Sequence, residues 1–461
     1  MISAARRSAA PRGISSAHAP ALDLPARFMV LGMCGFLTVA AIGPWAAPLL
    51  LHSFSDHRLL AFVHLNTLGA VAAVILGASY QLVPVVLQTP LASARVGRIS
   101  FWLYLAGLLL FLPSLLAVWL PGLALGSTLL LIAFSLYIGV IGITIRRAPY
   151  QDVISWHITS ALVSLGGGVV LGMLLAFNKG LGFLGGMTAH LLAAHITLML
   201  AGWVAVLLAG VAYRLVGMFT LSEDALWHPG AWIELALMTA GTWILAAGFL
   251  LSLDGWVRLT GGLMLLAGQG LYFAELARLY WLRRRRAFDI HIPFALTSAS
   301  LGLTAAALLV IGFVLGVGTG RSLWVAVGWL AIAGLAETAI QGFFYKITTF
   351  LVWLHRYAPQ AGRKRVPRLE DLYQRRLAVA GWVYWTAGLL LSVAAIATGS
   401  EFISLFAGLS LSTGLACFLV NVIRIGGHWK PIRIGLVEFP RVNLSGGERM
   451  EERRGPRSIN A

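Results

Sequence analysis

The chain has 461 residues, of which 59% are hydrophobic and only 11% charged. A soluble protein of this length cannot hide so much apolar surface, which excludes a cytosolic enzyme and makes the lipid bilayer its first partner. The net charge of +17 would suit a nucleic-acid binder, but the cations sit in short loops between apolar runs, so no nucleic acid is expected.

Twelve apolar runs follow one another along the chain, at 28–51, 59–88, 99–120, 122–145, 153–177, 188–220, 231–253, 256–282, 293–318, 322–354, 377–399 and 401–423. A helix needs about 20 such residues to cross the hydrocarbon, so the expected fold is all-α and integral to the membrane, with twelve transmembrane helices. Several runs are longer than a perpendicular helix requires, which predicts tilt or extension beyond the bilayer. Arg6, Arg7, Arg12 and Arg27 precede the first run; Arg95 and Arg98 follow the second; Arg146 and Arg147 follow the fourth. Arg283 to Arg286 follow the eighth; Arg363, Lys364, Arg365, Arg368, Arg375 and Arg376 the tenth; Arg424, Lys430 and Arg433 the twelfth. The loop after the sixth, with Glu223 and Asp224, is the exception, and the alternate loops carry few cations, such as Lys179, Arg258 and Arg321. Basic loops stay in the cytoplasm, so tails 1–27 and 424–461 are expected there, with the chain in a bacterial inner membrane.

The first run is too long for a cleavable signal, and no apolar core directly follows Arg6-Arg7, so no twin-arginine signal is expected. Cys34 and Cys417 form neither a metal spacing nor a disulfide framework. There is no CxxCH haem-attachment motif, no CxxC motif, no phosphate-binding glycine loop and no soluble nucleotide-binding domain.

A spaced signature repeats: Gly69, Gly77 and Tyr80 recur as Gly202, Gly210 and Tyr213, then as Gly334, Gly342 and Tyr345, with copies 133 and 132 residues apart. The segment Trp156 to Leu162 also matches Ile290 to Leu296, 134 residues later, which equates His157 with His291. This predicts three four-helix units, 28–145, 146–282 and 283–423, with the signature on helices 2, 6 and 10. On a helix Gly69 and Tyr80 share a face, so the signature suits close helix packing more than ligand contact by the tyrosines.

The stretch His64-Leu65-Asn66-Thr67-Leu68-Gly69, running on to Gly77-Ala78-Ser79-Tyr80-Gln81-Leu82-Val83-Pro84, resembles helix 2 of the nitric oxide reductase branch of the haem–copper oxidase catalytic subunits. The plan of three four-helix sets is similar across the whole chain. The resemblance implies a subunit I-like fold, b-type haem ligated by His64, copper chemistry, and a redox partner or second subunit. The chain departs from that family where the metals should be. Helix 10 lacks the family's two histidines and carries Trp329 at the repeat position of His64; the run 231–253 lacks the copper histidines. Helix 6 does carry His190 and His195. The resemblance therefore implies a divergent member with an incomplete copper site, similar to haem- and copper-containing membrane proteins of nitric oxide tolerance.

Neutral imidazole is a good ligand for haem iron or copper, which makes His64, His195 and His190 the cofactor candidates. His190 and His195 are five residues apart, so they diverge by about 140° and do not suit one shared ion on an unbroken helix. One would bind metal or haem while the other faces a loop. His57, with His52, Asp56 and His64, is a weaker candidate for a superficial copper site, against a solvated loop. His157, His228, His291, His355 and His428 fall at the basic side and read as structural. Glu337, mid-helix and one turn before Gln341, is the intramembrane carboxyl expected either to serve a proton path or to bond Gln341 or a neighbour. Glu275 and Arg278 are spaced for a local ion pair.

Two functions compete: haem-based electron transfer or nitric oxide and oxygen chemistry, and non-enzymatic copper or haem handling or assembly. A transporter is a third reading, disfavoured by the absence of a paired broken helix.

Overall fold

The computed structural model describes residues 20–286, 289–316 and 320–429. Regular structure among these residues is helical throughout. The long helices are α1 (Asp23–Leu51), α2 (His57–Val86), α3 (Ala94–Ala117), α4 (Leu120–Arg146), α5 (Val153–Leu181), α6 (Gly185–Thr220), α7 (His228–Leu250), α8 (Gly255–Trp281), α9 (His291–Val314), α10 (Arg321–Arg356), α11 (Arg375–Thr398) and α12 (Glu401–Gly427). Eleven of them are long and apolar enough to cross a membrane. The other, α8, matches them at 27 residues, but Arg258, Gln269 and its glycines dilute its apolarity. The chain is a multi-pass membrane protein. Arg6, Arg7, Arg12, Lys430 and Arg433 of the two tails lie outside the described residues.

The helix ends follow from local chemistry. The side chain of Asp56 accepts from Arg58 N at 2.8 Å to start α2, Ser93 caps α3, and Asp152 and Ser155 form a capping box at α5. Gly182 and Gly399 end α5 and α11 in the left-handed region, at φ 65° and 67°.

Helices α3 and α4, α7 and α8, and α11 and α12 pair most closely. Helix α1 packs on α2, α5 on α6 and α9 on α10; α4 meets α5, α8 meets α9, and α12 returns to α1, closing a ring. The centre is α2, α6 and α10. Their most apolar windows are 67%, 61% and 72% buried, against 39–44% for the other spans assessed. Each widens into π-helical turns, at Leu65–Ala72, Thr197–Ala205 and Leu330–Glu337, enclosing Gly69, Gly202 and Gly334 respectively. Carbonyls offset by the wide turns find other donors: Tyr104 Oη donates to Leu68 O at 2.7 Å, and Ser298 Oγ to Leu335 O at 2.7 Å.

The signature tyrosines do pack. Tyr80 meets Tyr137 edge-on at 5.5 Å, Tyr213 meets Tyr272 at 5.9 Å, and Tyr345 meets Phe418 at 5.4 Å. The three partners each stand eighteenth in a 27-residue helix, α4, α8 or α12. The second glycines admit a neighbouring helix: a Cβ on Gly77, Gly210 or Gly342 would lie 3.0, 2.5 and 2.5 Å from the Cβ of Phe28, His157 and Phe294. These contacts correct the expected equivalence of His157 and His291. The residue that answers His157 is Phe294; His291 lies a turn earlier and pairs with Asp289 at 2.8 Å. Local identity of an His-Ile pair misaligned the segments by three residues.

At the face bearing the basic loops, the exceptional acidic loop is met by cations: Glu223 by Arg214 at 3.8 Å and Asp224 by Arg284 at 3.6 Å. Asp289 bridges His291 and Lys346. Burial opposes its ionisation, but the bonds and charges of His291 and Lys346 outweigh that and hold the carboxyl well below its usual range. The expected Glu275–Arg278 pair does not form. Glu275 Oε1 instead accepts from Trp227 N at 2.8 Å, because the α6–α7 loop brings an unpaired backbone donor to it.

Candidate functional site

A cavity of about 910 Å³ opens inside the ring, away from the basic loops. It runs from the loop residues Phe54 and Gly316 down to Gln269 and Ala336, between α2 and α10 on one side and α5 to α9 on the other. Its wall is mostly apolar. His64, His190 and His195 all line it.

The three imidazoles share one arrangement. Nδ1 of His64 lies 2.8 Å from Leu60 O, that of His190 3.1 Å from Phe249 O, and that of His195 2.7 Å from Gly168 O. A carbonyl can only accept, so each neutral ring carries its proton on Nδ1 and keeps the Nε2 lone pair free. Among the described residues no protein group bonds any of the three Nε2 atoms. This is the tautomer a metal ligand needs, with the outer bond already in place. His64 packs its ring on Phe111 of α3 at 5.2 Å, and His195 lies within electrostatic range of it. Gly172 makes room for His195, since a Cβ there would sit 2.8 Å from Cε1. His190 turns the other way, onto α7 and Ser252 Oγ at 3.4 Å. The helical divergence expected between His190 and His195 is therefore realised, with one on α7 and the other on α5.

His57 is not among the lining residues. It opens α2, while Asp56 accepts from Arg58 N and bonds His52 Nδ1 at 2.7 Å. Among the described residues no three or more His, Cys, Asp or Glu side chains gather as a metal cluster. The cavity wall offers His64 and His195, with His190 turned toward α7.

Glu337 is fully buried at the end of the α10 π segment, beside the lining residue Ala336. The expected bond to Gln341 or a neighbour is absent: both carboxyl oxygens and both Gln341 amide atoms lack a partner. Such atoms cost about 1–3 kcal/mol each unless a proton, water or ligand meets them. The corresponding residues of α2 and α6, three after the first glycine, are Ala72 and Ala205.

Two features escaped the sequence reading. Arg258, read only as a loop cation, lines the cavity with its guanidinium 5.8 Å from the Phe249 ring and its Nε unpartnered. Glu234, a carboxyl in an apolar run, went unremarked because it falls near the predicted start of helix 7. In the structure it is fully buried, 2.7 Å from His157 Nε2 and 3.3 Å from Tyr213 Oη. Intramembrane charge was the available signal.

An apolar chamber of this size lies within the range of cofactor pockets. Two lone-pair imidazoles and a buried-edge arginine match the needs of a flat apolar macrocycle with acidic substituents. These are side-chain types that haem sites use. They do not fit a three-histidine copper centre. No protein-family model matches the chain, and no curated protein matches it.

Proposed function

We propose that this protein is a divergent relative of the haem–copper oxidase and nitric oxide reductase catalytic subunits, built from three four-helix units, and that it holds b-type haem in the cavity through His64 and His195. The recurring tyrosine nodes and π-helical turns support the threefold ancestry. The observation that carries the ligand assignment is that both imidazoles line the cavity with Nδ1 held on a carbonyl and Nε2 left without a protein partner, while His190 turns toward α7. When bound, the haem would supply reversible one-electron chemistry and an affinity for nitric oxide or oxygen. The chain's own part is to aim two Nε2 atoms, exclude water with an apolar wall, and offer Arg258 to an acidic substituent. Glu337 is the carboxyl this reading assigns to proton exchange beside the cavity floor. Electrons would come from a redox partner or second subunit, in a bacterial inner membrane with the basic loops in the cytoplasm.

The same two histidines support one alternative, a non-enzymatic copper carrier in which they hold a single cuprous ion. An optical spectrum of the detergent-extracted protein, with metal analysis, separates the two. The haem reading expects a Soret band that is lost or shifted in His64→Ala and in His195→Ala. Copper without a Soret band would transfer the site to the second reading, and neither would end both.

A further inference from the structure

The cavity has two unlike sides. Its histidines belong to α2 and α6, whereas no histidine of α8, α9 or α10 lines it. On α9, Gly302, Ala305, Ala306 and Gly312 all line the cavity at helical spacing, so one face of that helix carries little side-chain bulk. Helix α8 contributes Arg258 near the mouth and Gln269 at the floor, eleven residues apart. Three turns bring the two onto one face, about 16 Å apart along the axis.

Both polar groups want partners. Arg258 Nε is buried and unbonded, and no carboxylate pairs with the guanidinium among the described residues. Its charge rests on the Phe249 ring at 5.8 Å. That ring meets Phe313 at 6.3 Å, and Phe313 meets Trp324 at 5.5 Å, so the rim beside the cation is aromatic. Gln269 is 5% exposed, and no protein group bonds its amide among the described residues. Gly302 seats that amide in the wall: a Cβ there would lie 2.8 Å from Nε2. A buried amide and a buried guanidinium edge each cost free energy until a ligand or water meets them.

Inside a bilayer, apolar walls select little, because lipid chains offer a guest the same surroundings. Selection falls to the polar ends and to the distance between them. We propose that the side of the cavity formed by α8, α9 and α10 binds a single-chain carboxylate with a second oxygen near its far end, of the hydroxylated fatty-acid class. The carboxylate pairs with Arg258, the chain lies along the small residues of α9, and the far oxygen bonds Gln269. This site uses the side that has no imidazole, so it does not depend on haem. A guanidinium has five N–H donors, enough to serve an acidic substituent of haem as well.

The test is equilibrium binding of radiolabelled ω-hydroxylaurate, laurate and lauryl alcohol to the full-length protein in lipid nanodiscs. Wild type should show one saturable site that ranks them in that order. Arg258→Gln should weaken both acids by about tenfold or more, since a bond to a charged group is lost, and leave the alcohol unchanged. Gln269→Leu should weaken ω-hydroxylaurate by about threefold to tenfold and leave laurate unchanged, a split that damaged folding does not produce. Ala306→Phe should fill the space and abolish all three. No saturable binding by wild type, equal affinity for the acids and the alcohol, or unaltered affinities in folded Arg258→Gln and Gln269→Leu would overturn the proposal. Binding in a preparation without a Soret band would sink the haem reading and uphold this one; a Soret band without binding would do the reverse.

Discussion

Tyr80 of α2 and Tyr213 of α6 share one spaced signature but stand against opposite chemistries. Around Tyr80 the neighbours are Phe28, Tyr137 and the neutral Ser100 hydroxyl. Around Tyr213 they are His157, Glu234 and Tyr272. The backbone frame is held by glycine contacts and edge-on rings in both, so packing does not require the polar groups. A frame that closes equally well with phenylalanine can give one of its copies to ionisable side chains.

The largest expected difference comes from removing one member of the buried pair. Glu234→Ala strands His157 in a closed site and should lower stability by about 3–5 kcal/mol, whereas Ser100→Ala, seventh in α3 as Glu234 is in α7, loses one neutral hydrogen bond, to Ala133 O, at about 1 kcal/mol. Unfolding of both variants in detergent measures this, and equal losses would erase the contrast. The tyrosines sharpen it. Tyr213→Phe removes a donor to a carboxylate and should cost about 1.5–3 kcal/mol. Tyr345→Phe loses the bond from Asn421 Nδ2, 3.2 Å long, for about 1 kcal/mol. Tyr80→Phe deletes a hydroxyl whose polar neighbour is the neutral Ser100 and should cost no more than about 1 kcal/mol. A different ranking in thermal melts would show that the hydroxyls are partnered otherwise.

A further effect concerns Asp289, a charge in the loop before α9. Asp289 has a folded pKa below its unfolded value, so its bridge to His291 and Lys346 stabilises the protein above the unfolded carboxylate pKa of about 3.9. That contribution is lost as pH falls below this value through the lower folded pKa. Melting temperature should therefore drop less in Asp289→Asn than in wild type between mildly and strongly acidic buffer. Parallel curves would remove Asp289 from the account.

The twelve long helices were legible because each coincides with an extended apolar run, and the edges moved only a few residues. Gly69 to Tyr80 and its two echoes were legible because close helix approach restricts residue size. His64, His190 and His195 were legible as ligand-type side chains, and the divergence of the last two followed from helical pitch alone. Contacts between helices were not. Glu275 and Arg278 have the spacing of an ion pair, yet a loop amide from Trp227 takes the carboxylate. Glu337 and Gln341 are neighbours on one turn, yet neither side chain reaches the other. Arg258 looked like topology and became part of a wall. In each case the deciding partner lies on another segment, and its position depends on crossing geometry that spacing along one helix does not encode.

The wide turns at the heart of α2, α6 and α10 act as rotational couplings. One residue corresponds to about 100° of helical rotation, so deleting a single residue within Leu330–Glu337 would spin the distal third of α10 relative to its glycine-anchored base and swing Trp329 off the Phe62 ring it stacks on at 5.9 Å. The two ends of each central rod are thereby geared independently: one can be re-aimed toward a new guest while the other keeps its grip on the frame.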